Sequence, residues 1–205
     1  MQAPAQIYVL QEPKQARSRA RRAALIECGV EFLNERELDE FSVAEITHSL
    51  GYSTGSFYSY FQDKTAFFIA VQEWVNEDLI EILVKTIETQ EMAQKNLTER
   101  LSACVDFALS YFRKHTGVIC SALRYERRIP QGWAPNRATT QRLISAAVTG
   151  LGDADRQRLE TALQLAFGML VNALLHDPGP LRLNGKDMGP KIIMALKPYL
   201  STEQE

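Results

Sequence analysis

The sequence predicts an all-α protein, on three observations. Apolar residues recur at the three-to-four-residue helical period through most of the chain. No segment sustains the strict apolar–polar alternation of a half-buried strand. The composition of the 205 residues, 45% hydrophobic and 23% charged with Gly 11 and Pro 8, is that of an ordinary globular chain long enough to bury a core. It excludes collagen, disulfide scaffolds and low-complexity tails. Cys28, Cys104 and Cys120 lack Cys-x-x-Cys spacing, and His48, His115 and His176 are scattered, so reduced thiols and no metal or cofactor are expected. The opening MQAPAQIYVLQEPK has no basic-then-apolar leader pattern, and no apolar run approaches the roughly 18 to 20 residues of a bilayer span. A cytoplasmic protein without a membrane partner is expected.

The elements follow in order. The net charge of −2 conceals a basic stretch, Lys14, Arg17, Arg19, Arg21 and Arg22, with no acid among them. Ala23, Ile26, Val30 and Leu33 then mark the stripe of a first helix ending near Glu37. Ser42 with Glu45 three residues later forms a capping box, flanked by Phe41 and Ile46 as a hydrophobic staple. The second helix runs through Val43, Ile46 and Leu50 and stops at Gly51, which can close a helix in the left-handed conformation. A third starts at Ser53, another N-cap residue, and sets Phe57 and Phe61 on one face. Two short helices across a glycine turn make a helix-turn-helix. A plain helical hairpin has the same geometry, but it has no need of small polar residues and tyrosines on its outer face. Thr54, Gly55, Ser56, Tyr58 and Tyr60 are the short donors and phenols that reach base edges and phosphates.

The run SVAEITHSLGYSTGSFYSYFQDK, Ser42 to Lys64, resembles the signature of TetR-type transcriptional regulators. Ser42, Val43, Ile46, Gly51, Ser53, Gly55, Ser56, Phe57, Tyr58, Tyr60, Phe61 and Lys64 fall in register with it. The resemblance implies that Thr54, Gly55 and Ser56 approach the bases, with Ser53 opening their helix. It implies that Ser42, Tyr58, Tyr60 and Lys64 hold phosphates, and that Arg17, Arg19, Arg21 and Arg22 contact the backbone or the minor groove of double-stranded DNA. For each arginine a solvated helix face is the alternative. The chain departs from the signature at Glu37, where the family has Gly, and at Thr47 and Leu50, where it has Ala. The acids Glu27, Glu31, Glu35, Glu37, Asp39 and Glu40 are expected to face away from DNA.

Residues 1–65 are thus expected to form a DNA-binding domain with a basic arm, and residues 66–205 a larger helical domain. Phe68, Val71, Val75, Leu79 and Ile82 give a fourth helix joined directly to the reader. Leu97, Leu101, Cys104, Val105, Ala108 and Phe112 give the next, Val118 to Arg127 a shorter one, and Leu143, Ile144, Ala147, Val148 and Leu151 another. Arg128 to Arg137, RIPQGWAPNR, reads as a loop. Asp153 to Asp177 is the most apolar segment, ended by Pro178-Gly179-Pro180, and Pro190 is placed to open a last helix carrying Ile192, Ile193, Leu196, Tyr199 and Leu200.

The resemblance further implies that the last two long helices pair with a second copy, making a homodimer on a palindromic site. Completion of the monomer core is the alternative for that pair. It also implies a small-molecule pocket among the middle helices, for which Phe107, Tyr111, Tyr125, Trp133 and Phe167 are candidates, with Arg124, Glu126 or His115 supplying polarity. Each aromatic has a core role as its alternative. Cys104 and Cys120 are read as small buried hydrophobes, a redox pair being the alternative. The expected function is a dimeric DNA-binding regulator, a repressor released by a small apolar or aromatic effector. A DNA reader with a ligand-free protein-interaction platform is the second reading. An enzyme is not expected, since no triad order, P-loop or dinucleotide glycine pattern is present.

Overall fold

The computed structural model describes residues 15–86, 90–125, 134–176 and 179–201, and every regular element among them is helical. These are α1 (Ala16–Glu35), a 3-10 turn (Leu38–Glu40), α2 (Val43–Ser49), α3 (Thr54–Tyr58), α4 (Lys64–Thr86), α5 (Gln90–Gln94), α6 (Leu97–Lys114), α7 (Thr116–Tyr125), α8 (Ala134–Ala147), α9 (Asp153–His176) and α10 (Met188–Ser201). The described residues of Met1–Glu77 and His115–Asn136 form one compact unit, and those of Asp78–Lys114 and Arg137–Glu205 form a second. The division falls inside α4 rather than at residue 65, and α7 returns to the first unit.

The first unit is organised by an aromatic core. Phe57, Phe61 and Phe67 are all but fully buried, with ring centres 5.1 to 5.2 Å apart. Phe67, Phe68 and Val71 lie just past residue 65 and complete this core, which is why the beginning of α4 belongs with the reader. Each such ring removes well over 100 Å² from water, worth on the order of 2 to 3 kcal/mol. α7 packs on α1, and Gly117 is required there: a Cβ would lie 1.8 Å from the carbonyl oxygen of Leu33. Tyr125 donates its hydroxyl to Asp39 at 2.5 Å, and Arg124 pairs with Glu37. Two of the acids expected to face away from DNA are thus turned onto α7.

In the second unit α6, α9 and α10 pack against one another. α6 buries Leu101, Cys104, Val105 and Phe112, α9 buries Leu159, Ala162, Leu163, Ala166 and Leu170, and α10 buries Met188, Ile192, Leu196 and Leu200 at strict four-residue spacing. Burial holds the Cys104 thiol protonated, its pKa pushed up to about 12, and Cys120, in the other unit, is also raised by burial. All three cysteines are free. Arg100 is 2% exposed and binds four main-chain carbonyls, of Ala93, Lys95, Ala147 and Thr149.

Several local expectations shift. Residues 134–137, expected in a loop, start α8, since Pro135 in a first turn lacks only an N–H that has no helical partner anyway; residues 126–133, including Glu126 and Trp133, lie outside the described residues. α10 starts at Met188, two residues before Pro190, and continues through an interior Pro198. Ile82 and Tyr199 of the expected apolar stripes are exposed. By length and composition α9 is long and apolar enough to cross a membrane, though part of it is buried inside the protein. Its apolarity comes from having two apolar faces: one in the core, and one carrying Leu165 and Met169.

Candidate nucleic-acid interface

Local chemistry fixes α2 and α3 at both ends. Ser42 donates its N–H and its hydroxyl to Glu45 Oε2 at 2.7 and 2.8 Å, and the Glu45 N–H returns to Ser42 Oγ at 3.2 Å. Arg36 donates to the other Glu45 oxygen at 2.8 Å. That guanidinium first, then Ser42, holds the Glu45 carboxyl down to a pKa of about 2. Gly51 closes α2 with φ +65°, a conformation costly to any residue bearing a Cβ. Thr47, at a position where a small Ala was expected, is buried, and its hydroxyl donates to the carbonyls of Val43 and Ala44 at 3.0 and 3.1 Å. The unexpected Glu37 caps the 3-10 turn, whose Glu40 carboxylate accepts the Glu37 N–H at 2.7 Å.

Ser53 caps α3, its Oγ accepting the Ser56 N–H at 3.3 Å and lying 3.0 Å from Ser56 Oγ. Phe57 points into the aromatic core, so the rest of the short helix faces outward: Thr54 and Gly55 are exposed, Ser56 is half-buried, and Tyr58 is 55% exposed. A Cβ built on Gly55 meets only Ser53 Oγ, at 3.9 Å, so the surface there is open to an incoming group. From Leu50 to Phe61 the chain carries no charged side chain.

Charge reaches this surface from α1. Ser18 donates to the hydroxyl of Tyr60 at 3.0 Å, and the Arg21 guanidinium lies 5.7 Å from the ring centre of Tyr52. The basic beginning of α1 is therefore tied to the residues on both sides of α3. Arg17 and Arg19 are exposed on it. Tyr52, to which the sequence reading gave no role, is the residue that holds Arg21 beside α3. Arg22 lies 5.7 Å from the centre of Phe61, and its charge bears on Glu73 of α4, which places it in the packing. Lys64, expected on a phosphate, donates to the carbonyl of Phe41, and its ammonium is 4.4 Å from the centre of that ring. Arg36 stacks on Phe32 and Phe41 at 4.7 and 5.8 Å. The two cations thus clamp Phe41, and with it the entry to α2.

A second candidate site lies wholly in the other unit. Between α6, α8 and α9 is a cavity of about 420 Å³, floored by Val105, Ala108, Leu143, Ile144, Leu163 and Phe167 and edged by Gln141, Gln157, Glu160 and Gln164. Phe167 is the one expected aromatic in its lining. Phe107 is buried and Tyr111 half-buried elsewhere on α6; Tyr125 and His115 belong to the first unit, as does the Arg124 paired with Glu37. Across α9 from it, Thr161, Leu165, Gly168, Met169 and Asn172 share an open groove with Pro180 and Leu181. Among the described residues no three His, Cys, Asp or Glu side chains gather to hold a metal ion.

Comparison with known proteins bears on the first site. Residues 25–71 match the family model of bacterial regulatory proteins, tetR family. No curated protein matches the chain by sequence. In fold it is similar to a tetR-family transcriptional regulator from Streptomyces coelicolor, with TM-score 0.64 and 19% identity over 88% of this chain and 80% of that one. It is also similar to a TetR transcriptional regulator from Rhodococcus sp. RHA1, with TM-score 0.57 and 20% identity over 93% and 100%, and to a transcriptional regulator from Cytophaga hutchinsonii, with TM-score 0.61 and 16% identity over 88% and 95%.

Proposed function

We propose that this TetR-type transcriptional regulator binds a palindromic operator as a homodimer, acts as a repressor, and leaves DNA when a small molecule enters its second unit. The observation that carries the reading is the outer surface of α3: polar, uncharged, open at Gly55 and tied on both sides to the basic start of α1. In this reading Thr54, Gly55 and Ser56 read base edges in the major groove, and Tyr58 with Arg17, Arg19 and Arg21 fix the backbone register. The Ser42 hydroxyl donates to Glu45 and the Ser53 hydroxyl caps α3, so these two contribute mainly by holding the helices, whereas the Tyr60 hydroxyl accepts from Ser18 and keeps its own proton to donate to a phosphate. Lys64 acts the same way through Phe41, and any phosphate contact it makes adds to that role.

The dimer reading is supported by unpartnered apolar side chains on the last two helices. Leu165 of α9 is 47% exposed and Met194 of α10 71% exposed, apolar side chains that a second copy would cover. The cavity between α6, α8 and α9 supports ligand control over a ligand-free interaction platform, because a solid bundle would leave no such space. Release then follows if the ligand binds better to a state of the dimer whose two readers no longer match the half-site spacing. Transcription control by this route needs no catalysis.

The test is fluorescence anisotropy of the purified chain with DNA from upstream of its own gene, against a random duplex, at low and high salt. Salt-sensitive binding at least about a thousandfold tighter than to the random duplex is expected of a specific regulator. Equal weak binding to both, repeated against a library of randomised duplexes, sinks the operator reading.

A further inference from the structure

We propose that the cavity between α6, α8 and α9 selects an organic cation: an apolar body carrying an amine or similar positive group, in preference to a carboxylate or phosphate of the same shape. The inference rests on the ligand-controlled reading above and names the chemistry of its ligand. Its basis is the lining. The floor is aliphatic with one ring, Phe167, and so takes a compact hydrocarbon body. At the edge stand Gln141, Gln157 and Gln164, whose side-chain amides make no hydrogen bond to other described residues and are left to offer both donors and acceptors to a guest. Glu160 is the one charged side chain in the lining, and no Lys, Arg or His accompanies it there.

The arginines of the neighbouring helical turns stay out of the cavity wall, including Arg156, exposed one turn before Glu160 on α9. Arg158 of α9 is paired with Asp155 at 2.7 Å, and Arg137 and Arg142 of α8 are absent from the lining. Thr161 is engaged too, its hydroxyl donating to the carbonyl of Gln157 at 2.9 Å. An anion entering the cavity would therefore lose water and meet a like charge, whereas a cation would meet a carboxylate and amide oxygens.

The experiment uses the full chain and three probes of one shape: 4-phenylbutylamine, 4-phenylbutan-1-ol and 4-phenylbutyrate, titrated calorimetrically at low salt. Glu160 is solvent-facing, so the pair is screened, and each step of the order amine, alcohol, carboxylate is expected to be up to about fivefold in Kd. Glu160→Gln should collapse the order while leaving the alcohol unchanged, and Ala108→Leu, which fills the floor, should weaken all three together. The proposal is overturned if the carboxylate binds as tightly as the amine, if the order survives Glu160→Gln, if Ala108→Leu changes nothing, or if none of the three binds. A separate arm adds the amine to the protein–operator complex. Glu160-dependent binding that leaves the complex intact upholds this cavity assignment and overturns the release reading; release by the carboxylate with no amine preference does the reverse.

Discussion

Arg100 offers the sharpest test of how the second unit is held. Its side chain is nearly inaccessible, and all its hydrogen bonds go to main-chain carbonyls: Nε to Lys95 at 2.9 Å, Nη1 to Ala147 and Thr149 at 2.8 Å each, Nη2 to Ala93 at 3.1 Å. These oxygens belong to the ends of α5 and α8, where helical carbonyls lack intrahelical donors and carry the negative end of the helix dipole. Arg100→Met keeps the stem and its packing but removes every donor. The fully buried Ala147 carbonyl then loses its bond with no replacement, at about 1 to 3 kcal/mol, and the three half-buried ones lose about 0.5 kcal/mol each after water returns to them. Against this, the variant no longer buries a charge, which is worth up to a few kcal/mol when both partners of an ion pair are replaced together. Here the acceptors are main chain and cannot be replaced, so the loss dominates. A net destabilisation of about 3 kcal/mol is expected, a fall in Tm of roughly 6 to 12 °C for a protein of this size. Differential scanning calorimetry measures it, with Arg100→Lys expected to lose about half as much because an ammonium reaches fewer of the four oxygens. If the Met variant melts within about 1 °C of the native chain, the reasoning that these helix ends depend on the guanidinium is refuted.

Three further outcomes are expected. Gly55→Ala meets open space in a helix and has no left-handed φ to maintain, so thermal melting should show stability unchanged or raised by up to about 1 kcal/mol, while anisotropy shows weaker operator binding; a loss of both together would mean the glycine serves the fold. Gly117→Ala drives a methyl into the Leu33 carbonyl, and should cost at least about 2 kcal/mol by chemical denaturation, with native-like stability showing that α7 can shift away from α1. Glu45 has a folded pKa of about 2, below its ordinary value of 4.5, so its contribution is present above pH 4.5 and is lost as pH falls towards 2. The Tm of the native chain should therefore fall more steeply across that window than that of Glu45→Gln, and parallel curves would show that the capping box and the Arg36 bond do not set acid stability.

The helix-turn-helix was legible because its signals are local. Ser42 with Glu45, Gly51, and Ser53 are caps and a turn that act within four residues, and each sits in the structure where the spacing put it. What escaped the sequence was long-range. Tyr125 with Asp39 and Gly117 with Leu33 join residues more than 80 positions apart, so the return of α7 to the first unit had no local trace. Arg100 and Lys64 were hidden by type: a cation in an amphipathic helix reads as solvated, and only the fold supplies carbonyls at the right distance. The edge of the cavity was hidden in the same way, since Gln157, Glu160 and Gln164 follow the three-to-four spacing of an ordinary wet face. The aromatic residues proposed for the pocket were chosen by size, and burial in the core is the commoner fate of a large ring; of the five, Phe167 alone is in the lining described.

α3 shows how an open polar surface is made from what the fold does not need. Five residues cannot hold a helix in water by their own hydrogen bonds, because nucleation is too costly for so few. The segment is helical because Ser53 caps it and because Phe57, with Phe61 just beyond its end, is locked into the rings of α4. Those three positions therefore tolerate little change. Thr54 and Gly55 are exposed and carry none of that burden, and Tyr58, 55% exposed, adds only an edge-on ring contact with Phe57 at 5.4 Å. A chain built this way can alter the outer side chains of α3 without losing the helix, since Gly55 lies opposite Phe57 and the side chains of Thr54 and Tyr58, to either side of it, are exposed.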